Sequence, residues 1–309
     1  AKFDYAQHSF KFFYYIISSL FLNEIDLKNQ PNIIYYISDD KDQIDHNIYG
    51  NSLVPSDPIN RLASEGMKFN NAYTSQAICA PSRSQIFTGL YPVKNGCYAN
   101  HLPVKKDIMD VNDYLQSVGY EVVLAGKSHV NPSSVFNWSH YFKNEGKLLP
   151  MDKIKDYIKN AKKPFCMFIT SDYPHGPFPT NTQFSDEDIY ENPYSNKSRL
   201  ANEKGYYQNI LFDNNQLQEV IDFLDETNLN DNTIFIYASD GGLRGKWSVK
   251  ESGLKIPLIV RWPKMVKPGT VSNDLINLVD ILPTIIESTG NKIPINLDGY
   301  SFLNNLKGE

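Results

Sequence analysis

Asn32-Ile33-Ile34-Tyr35-Tyr36-Ile37-Ser38-Asp39-Asp40 is the stretch whose reading decides the fold. Its apolar, β-prone residues run on without alternating, so a strand formed here has to be buried on both faces. Runs of this kind belong to parallel strands covered by helices on either side. Ligands of open α/β sheets bind beyond the carboxyl ends of such strands, and that is where the two aspartates stand. Side by side they repel each other unless a cation lies between them, and their hard oxygens suit Ca²⁺ or Mg²⁺. A solvated turn is the other reading, helped by the charged stretch Asp39-Asp40-Lys41-Asp42.

Working outward, further apolar runs predict strands over residues 121–125, 164–171, 233–239 and 256–261, with a shorter one over 68–74. Between them the spacing predicts helices over 58–66, 82–88, 111–118, 151–161, 199–227 and 281–288. In the longest of these, Ile210, Leu211, Leu217, Val220, Ile221 and Leu224 fit one helical face. Residues 180–198 are polar and turn-rich, as a rim loop would be. The alternation predicts an α/β fold: a large mixed, mainly parallel β-sheet sandwiched between helices.

Composition sets outer bounds. The chain has 309 residues, 41% of them hydrophobic, enough for one large domain or two modest ones. A net charge of −5 leaves no basic excess for non-specific nucleic-acid binding. An anionic substrate would need a local cationic pocket. Residues 12–22 are mostly apolar and follow Lys11. They fall short of the roughly 20 residues of a spanning helix but suit the core of a signal peptide. They therefore predict a periplasmic or secreted protein with no stable membrane span, a buried core helix being the alternative.

Chemistry-bearing residues gather at the expected strand ends. Cys79-Ala80-Pro81-Ser82-Arg83-Ser84-Gln85-Ile86-Phe87-Thr88-Gly89 packs a thiol, a proline, a serine and an arginine against a helix start. Free N–H groups and the helix dipole favour an anion there, and Pro81 fits the first turn. Strand 121–125 ends in Gly126-Lys127-Ser128-His129, whose Lys and His point into one cleft if the segment is extended. Strand 164–171 runs into Asp172-Tyr173-Pro174-His175-Gly176-Pro177, where the prolines hold His175 on a rigid loop. Strand 233–239 ends in Asp240-Gly241-Gly242, with Lys246 beyond it. Taken singly, each of these also fits an ordinary surface residue.

Taken together, Cys-x-Pro-Ser-Arg with Thr-Gly, Gly-Lys-x-His, Pro-His and Asp240 with Lys246 resemble the signature set of the type I, formylglycine-dependent sulfatases of the alkaline phosphatase superfamily. The resemblance implies a sulfuric ester hydrolase. Cys79 would be oxidised to formylglycine by a formylglycine-generating or anaerobic maturase enzyme, and a hydroxyl of the aldehyde hydrate would attack sulfur. Asp39, Asp40, Asp240 and the modified Cys79 would hold the divalent cation, Ca²⁺ or Mg²⁺. Arg83, Lys127, His129, His175 and Lys246 would surround the sulfate. His175, with Lys246 beside it, would protonate the leaving group, and His129 would take the proton from the second hydroxyl. The family places Asn or His after the last aspartate, whereas Gly241 brings no side chain, so one metal contact is expected to be lost or replaced by water or a neighbouring group.

Residues 126–132, Gly-Lys-Ser-His-Val-Asn-Pro, and Asn95-Gly96 also resemble the N-sulfoglucosamine sulfohydrolases. This points to a sulfated saccharide, a glycosaminoglycan or algal polysaccharide unit. Residues 1–30 are set apart as a signal-like segment, and 31–309 are expected to form the large catalytic subdomain. The antiparallel C-terminal subdomain of the family is expected to be absent, as in a fragment. With Cys79 modified, Cys97 and Cys166 are the remaining cysteine pair, though lone cysteines are more often simply buried. A phosphate or phosphonate ester hydrolase of the same superfamily, and an impaired sulfate-ester-binding protein, stand as the alternatives.

Overall fold

Strand β1 (Asn32–Asp39) lies in the middle of the sheet, as its two-faced apolar run requires. The other strands are β2 (Met67–Tyr73), β3 (Glu121–Gly126), β4 (His140–Phe142), β5 (Phe165–Pro174), β6 (Thr233–Ser239), β7 (Lys255–Arg261) and β8 (Thr270–Asn277). The computed structural model describes residues 30–189 and 197–309. The signal-like stretch 12–22 and part of the expected rim loop lie outside them.

The sheet order is β4-β3-β5-β1-β6-β7-β2-β8. Strand β1 pairs in parallel with β5 and β6, and β3 in parallel with β4 and β5. Strand β7 runs antiparallel to both neighbours, β6 and β2, while β2 and β8 are parallel. The sheet is therefore mixed and mainly parallel, as expected. The carboxyl ends of β1, β3, β5 and β6 share one edge.

The helices are α1 (Asp57–Glu65), α2 (Cys79–Thr88), α3 (Pro92–Asn95), α4 (Val111–Gln116), α5 (Met151–Asn160), α6 (Lys197–Glu226), α7 (Glu251–Leu254), α8 (Ile281–Ser288) and α9 (Leu303–Lys307). They cover both faces, and β1 shows how. Ile33, Tyr35 and Ile37 enter a core with Phe87 of α2, Leu115 of α4 and Leu282 of α8. Ile34 and Tyr36 enter the opposite core with Leu62 of α1, Ile158 of α5 and Leu217 of α6. Each such side chain contributes about 1.5–3 kcal/mol when fully buried, so the period-two split fixes the register of the whole sandwich.

Several details depart from the expectations. Helix α2 begins at Cys79 rather than at Ser82, and β5 continues to Pro174. The apolar stripe of α6 is shared between two clusters: Leu217, Val220, Ile221 and Leu224 pack on the sheet, while Ile210 joins Val54, Phe184 and Tyr207 in a separate one. The edge strands β4 and β8 were not foreseen. Cys97 and Cys166 are buried and unbonded. No helix among the described residues is long and apolar enough to cross a membrane.

Candidate active site

Parallel strands deliver the expected residues to one place. Asp39 closes β1, and Asp40 follows it with φ 63°, a left-handed turn in which its N–H donates to Asp240 Oδ1 at 3.0 Å. Asp240 follows the last residue of β6. At the end of β3, Gly126 has φ 108°, and a Cβ there would collide with the Thr170 carbonyl oxygen. Only glycine allows this approach, which turns the chain so that Lys127 N donates to Thr170 O at 2.9 Å. Cys79 is the first residue of α2 and Arg83 lies one turn on; both are buried.

The side chains then meet. Cys79 Sγ lies 3.7 Å from Asp40 Oδ1. Arg83 donates from Nε to Asp240 Oδ2 at 2.8 Å, from a terminal nitrogen to Asp39 Oδ1 at 3.3 Å, and from the other to the Lys127 carbonyl at 2.9 Å. Lys127 Nζ donates to Asp39 Oδ2, and Lys246 Nζ to Asp40 Oδ2 at 2.6 Å. His175 Nε2 lies 3.5 Å from Asp40 Oδ2. His129 stands beside this group, within range of the Lys127, Arg83 and Asp39 charges.

Burial and like charge strain the carboxylates in different ways. Burial alone would raise Asp39, but Lys127 and Arg83 outweigh it and hold its carboxyl well below the usual range. Asp40 is pushed up by burial and by the Asp39 charge. Asp240 is pushed up to about 7 by the same two causes, against the pull of Arg83. Burial, then Asp240, Asp39 and Asp40, push the Cys79 thiol far up, so it stays protonated and is a poor thiolate nucleophile.

Single ligand atoms of Asp39, Asp40, Cys79 and Asp240 lie within 4.8 Å of one another. Three buried carboxylates converging on one point suit a hard divalent cation. The residues present therefore fit such an ion. Gly241 lends no side chain to this set, yet there is room for one: a Cβ there would meet nothing nearer than the Gly253 carbonyl oxygen at 3.6 Å.

The solvated-turn reading of residues 39–42 fails, because Asp39, Asp40, Lys41 and Asp42 are all buried. Lys41 turns back into the sandwich to Asp213, at 3.1 Å, and Asn214, at 2.7 Å. Asp42 and Asp45 share Arg244, at 2.6 and 2.7 Å.

Sequence reasoning missed several residues around the site. Asn209 of α6 donates from Nδ2 towards the carbonyls of Pro174, His175 and Pro177 at 3.1–3.2 Å, and Lys147 Nζ donates to the His175 carbonyl. Together they pin the His175 loop. His101 pairs with His129. Trp247, next to Lys246, holds φ 67° and is 69% exposed, and its backbone N–H donates to Ala77 O at 3.0 Å. The left-handed backbone of a bulky residue beside Lys246 was the structural signal, and no sequence pattern announces it.

Comparison with known proteins gives a concordant result. Residues 31–291 match the family model described as Sulfatase. The chain is 49% identical over 294 residues to an ulvan-active sulfatase of Formosa agariphila, a match covering 92% of this chain and 59% of that protein. An arylsulfatase of Hemicentrotus pulcherrimus is 26% identical over 339 residues, covering 88% and 61%. The chain thus spans about three fifths of the length of these relatives. Among solved structures, a complex with the substrate D-glucosamine-2-N,6-O-disulfate superposes with a TM-score of 0.76 at 21% identity, covering 91% of this chain and 81% of that one. The phosphonate monoester hydrolase of Agrobacterium radiobacter gives 0.79 at 17%, covering 90% and 77%. At these identities the superpositions show a shared fold.

Proposed function

This chain belongs to the sulfatase family, and from that premise we propose that it hydrolyses sulfate esters of a sulfated algal polysaccharide of the ulvan type. One observation carries the chemical part: Asp39, Asp40, Cys79 and Asp240 converge within 4.8 Å, with Arg83, Lys127 and Lys246 bonded to the three carboxylates. The 49% identity to an ulvan-active sulfatase supports the substrate class.

Asp39, Asp40 and Asp240 would hold a divalent cation, which when bound polarises ester oxygens. Formylglycine at position 79, made by a maturase, would supply a hydrated aldehyde as nucleophile in place of the inert thiol. The remaining tasks fall to the chain's own side chains. Arg83, fixed by Asp39 and Asp240, holds its charge at the first turn of α2. Lys127 and Lys246 place two further cations against the anionic ester, in a low-dielectric site where such contacts are strong. His175 Nε2 lies 3.5 Å from Asp40 Oδ2, the carboxylate oxygen that Lys246 also contacts, and would hand a proton to the leaving oxygen, a step that typically contributes about 10²–10⁴-fold. Trp247 offers a flat apolar face for the sugar next to the sulfated one. A periplasmic or secreted location, read from residues 12–22, belongs to the same proposal.

Sulfate release from ulvan, algal and heparin-like oligosaccharides, set beside matched aryl sulfate and aryl phosphate, tests this reading. Preference for the ulvan oligosaccharides and for sulfate over phosphate is expected. Faster turnover of the aryl phosphate would replace it with a phosphate or phosphonate hydrolase. Reaction with aryl sulfate while every saccharide fails would remove the carbohydrate assignment.

A further inference from the structure

A row of hydrogen bonds runs from the start of α2 to His129. The Ala80 N–H, one of the donors a helix start leaves without an intrahelical partner, points to Asn100 Oδ1 at 3.2 Å. A backbone N–H only donates, so the amide oxygen must face it and the NH₂ group must lie on the other side. That Nδ2 is 3.2 Å from His101 Nε2. An NH₂ group also only donates, which makes His101 Nε2 an acceptor and puts the proton of the neutral ring on Nδ1. His101 Nδ1 lies 3.0 Å from His129 Nε2. His129 therefore accepts at Nε2 and carries its own proton on Nδ1.

Two further observations bear on this row. His129 Nδ1 is buried and has no hydrogen-bond partner among the described residues, so its hydrogen is left for something that enters the site. His101 and His129 both hold left-handed backbones, φ 67° and 55°, with ring centroids 4.8 Å apart. Such conformations are uncommon outside glycine, and two in contact indicate that the rings are held in place.

We propose that Asn100 and His101 are positioning residues that fix His129 as a neutral imidazole protonated on Nδ1, so that it gives a hydrogen bond to an anionic oxygen of the bound sulfate ester. The proposal rests on the sulfatase reading and alters one role within it. A ring already protonated on Nδ1 takes no proton at that atom, so under this proposal the base role implied by the family resemblance does not fall to His129 Nδ1. The charges nearby agree: burial, then Lys127 and Arg83, push His129 down to about 4, which keeps it a neutral donor at neutral pH.

Long-range ¹H–¹⁵N correlation spectra of the full chain, labelled at histidine, test this. The His129 signals are assigned by their loss in His129→Gln. At neutral pH the expected result is a protonated Nδ1 and an unprotonated Nε2 for both His101 and His129. Asn100→Asp keeps an oxygen for Ala80 and sets a second oxygen against His101 Nε2, so it should reverse the proton positions in both rings. A His129 protonated on Nε2 in the unmutated chain overturns the proposal, as does an Asn100→Asp spectrum with His129 unchanged. The tautomer is read without turnover, so a chain that shows it yet cleaves no sulfate ester fails as a sulfatase and not on this point.

Discussion

Lys41 Nζ sits 3.1 Å from Asp213 Oδ2 with neither side chain exposed to solvent. The pair lies directly behind the active-site turn, one residue after Asp40. Asp213 also accepts from Ser38 Oγ at 2.6 Å and Tyr36 OH at 2.9 Å, so one carboxylate of α6 ties down the end of β1. Burial pushes Lys41 below its ordinary value, against the pull of Asp213. Asp213→Ala is expected to leave a buried ammonium uncompensated and to cost about 3–5 kcal/mol, read from urea unfolding midpoints. Lys41→Met in the same background should recover part of the loss. A single variant as stable as the parent would show that the pair does not anchor the turn.

Cys79→Ser and Cys79→Ala should both abolish multiple turnover. The thiol is held protonated, and the proposed mechanism replaces it with an aldehyde formed from Cys79. Mass spectrometry of the Cys79 peptide from the native host should show that aldehyde. Steady turnover of an aryl sulfate by Cys79→Ala would remove this residue from the mechanism.

Metal binding should depend on pH in a definite direction. Asp40 and Asp240 are raised in the folded chain, Asp240 to about 7, by burial and by Asp39. The stability that protonated Asp240 contributes to the metal-free protein is full below the unfolded value of about 3.9 and is lost as pH rises through about 7, and Asp40 acts in the same direction. A cation relieves that loss and displaces protons as it binds. Calcium should therefore raise Tm more at pH 8 than at pH 5 in calorimetric scans against chelator controls. Equal increments would argue against a cation at these carboxylates.

Gly241→Asn should strengthen the same site. The position has no positive φ and has room for a Cβ, with its nearest neighbour at 3.6 Å. An added oxygen ligand is expected to tighten Ca²⁺ binding by roughly 10-fold or more, the scale on which ligand-shell changes act. Titration calorimetry gives the answer, and an unchanged Kd would place the new side chain outside the coordination sphere.

Trp247→Ala is expected to raise KM for a saccharide substrate by roughly 2- to 10-fold, the range of aromatic contacts, with kcat little changed. A fall in kcat at constant KM would mean that the ring supports Lys246 rather than the sugar.

The candidate site residues were legible because each stands at the end of an apolar run or at a helix start. Asp39 at the end of β1 and Asp40 after it, Lys127 after β3, His175 after β5, Asp240 after β6 and Cys79 at the head of α2 all follow that rule. Their supports were not. Asn100 and His101 lie on a connecting segment, 28 residues or more from His129, and Asn209 reaches the His175 loop from the middle of α6. The edge strands escaped notice for a related reason. Among the residues of β8, Ser272 and Ile276 alone are buried, and β4 spans only His140–Phe142, so neither leaves a periodic trace.

The sequence by itself determined that β1 is a two-faced interior strand and that its neighbours are mostly parallel, because continuous apolar runs have no other stable place. Through the cysteine motif and the strand-end residues it also named side chains that the fold brings together at one edge of the sheet. Tertiary structure decided the rest. An apolar run is blind to direction, so only the pairing with β6 and β2 shows that β7 runs the other way. A charged stretch such as Asp39-Asp40-Lys41-Asp42 reads as solvated until its partners appear. Asp213, Asp240, Arg244 and Lys246 come from 160 residues and more further on. Burying such charges is tolerable only when counter-charges arrive with the fold, and local sequence does not record that.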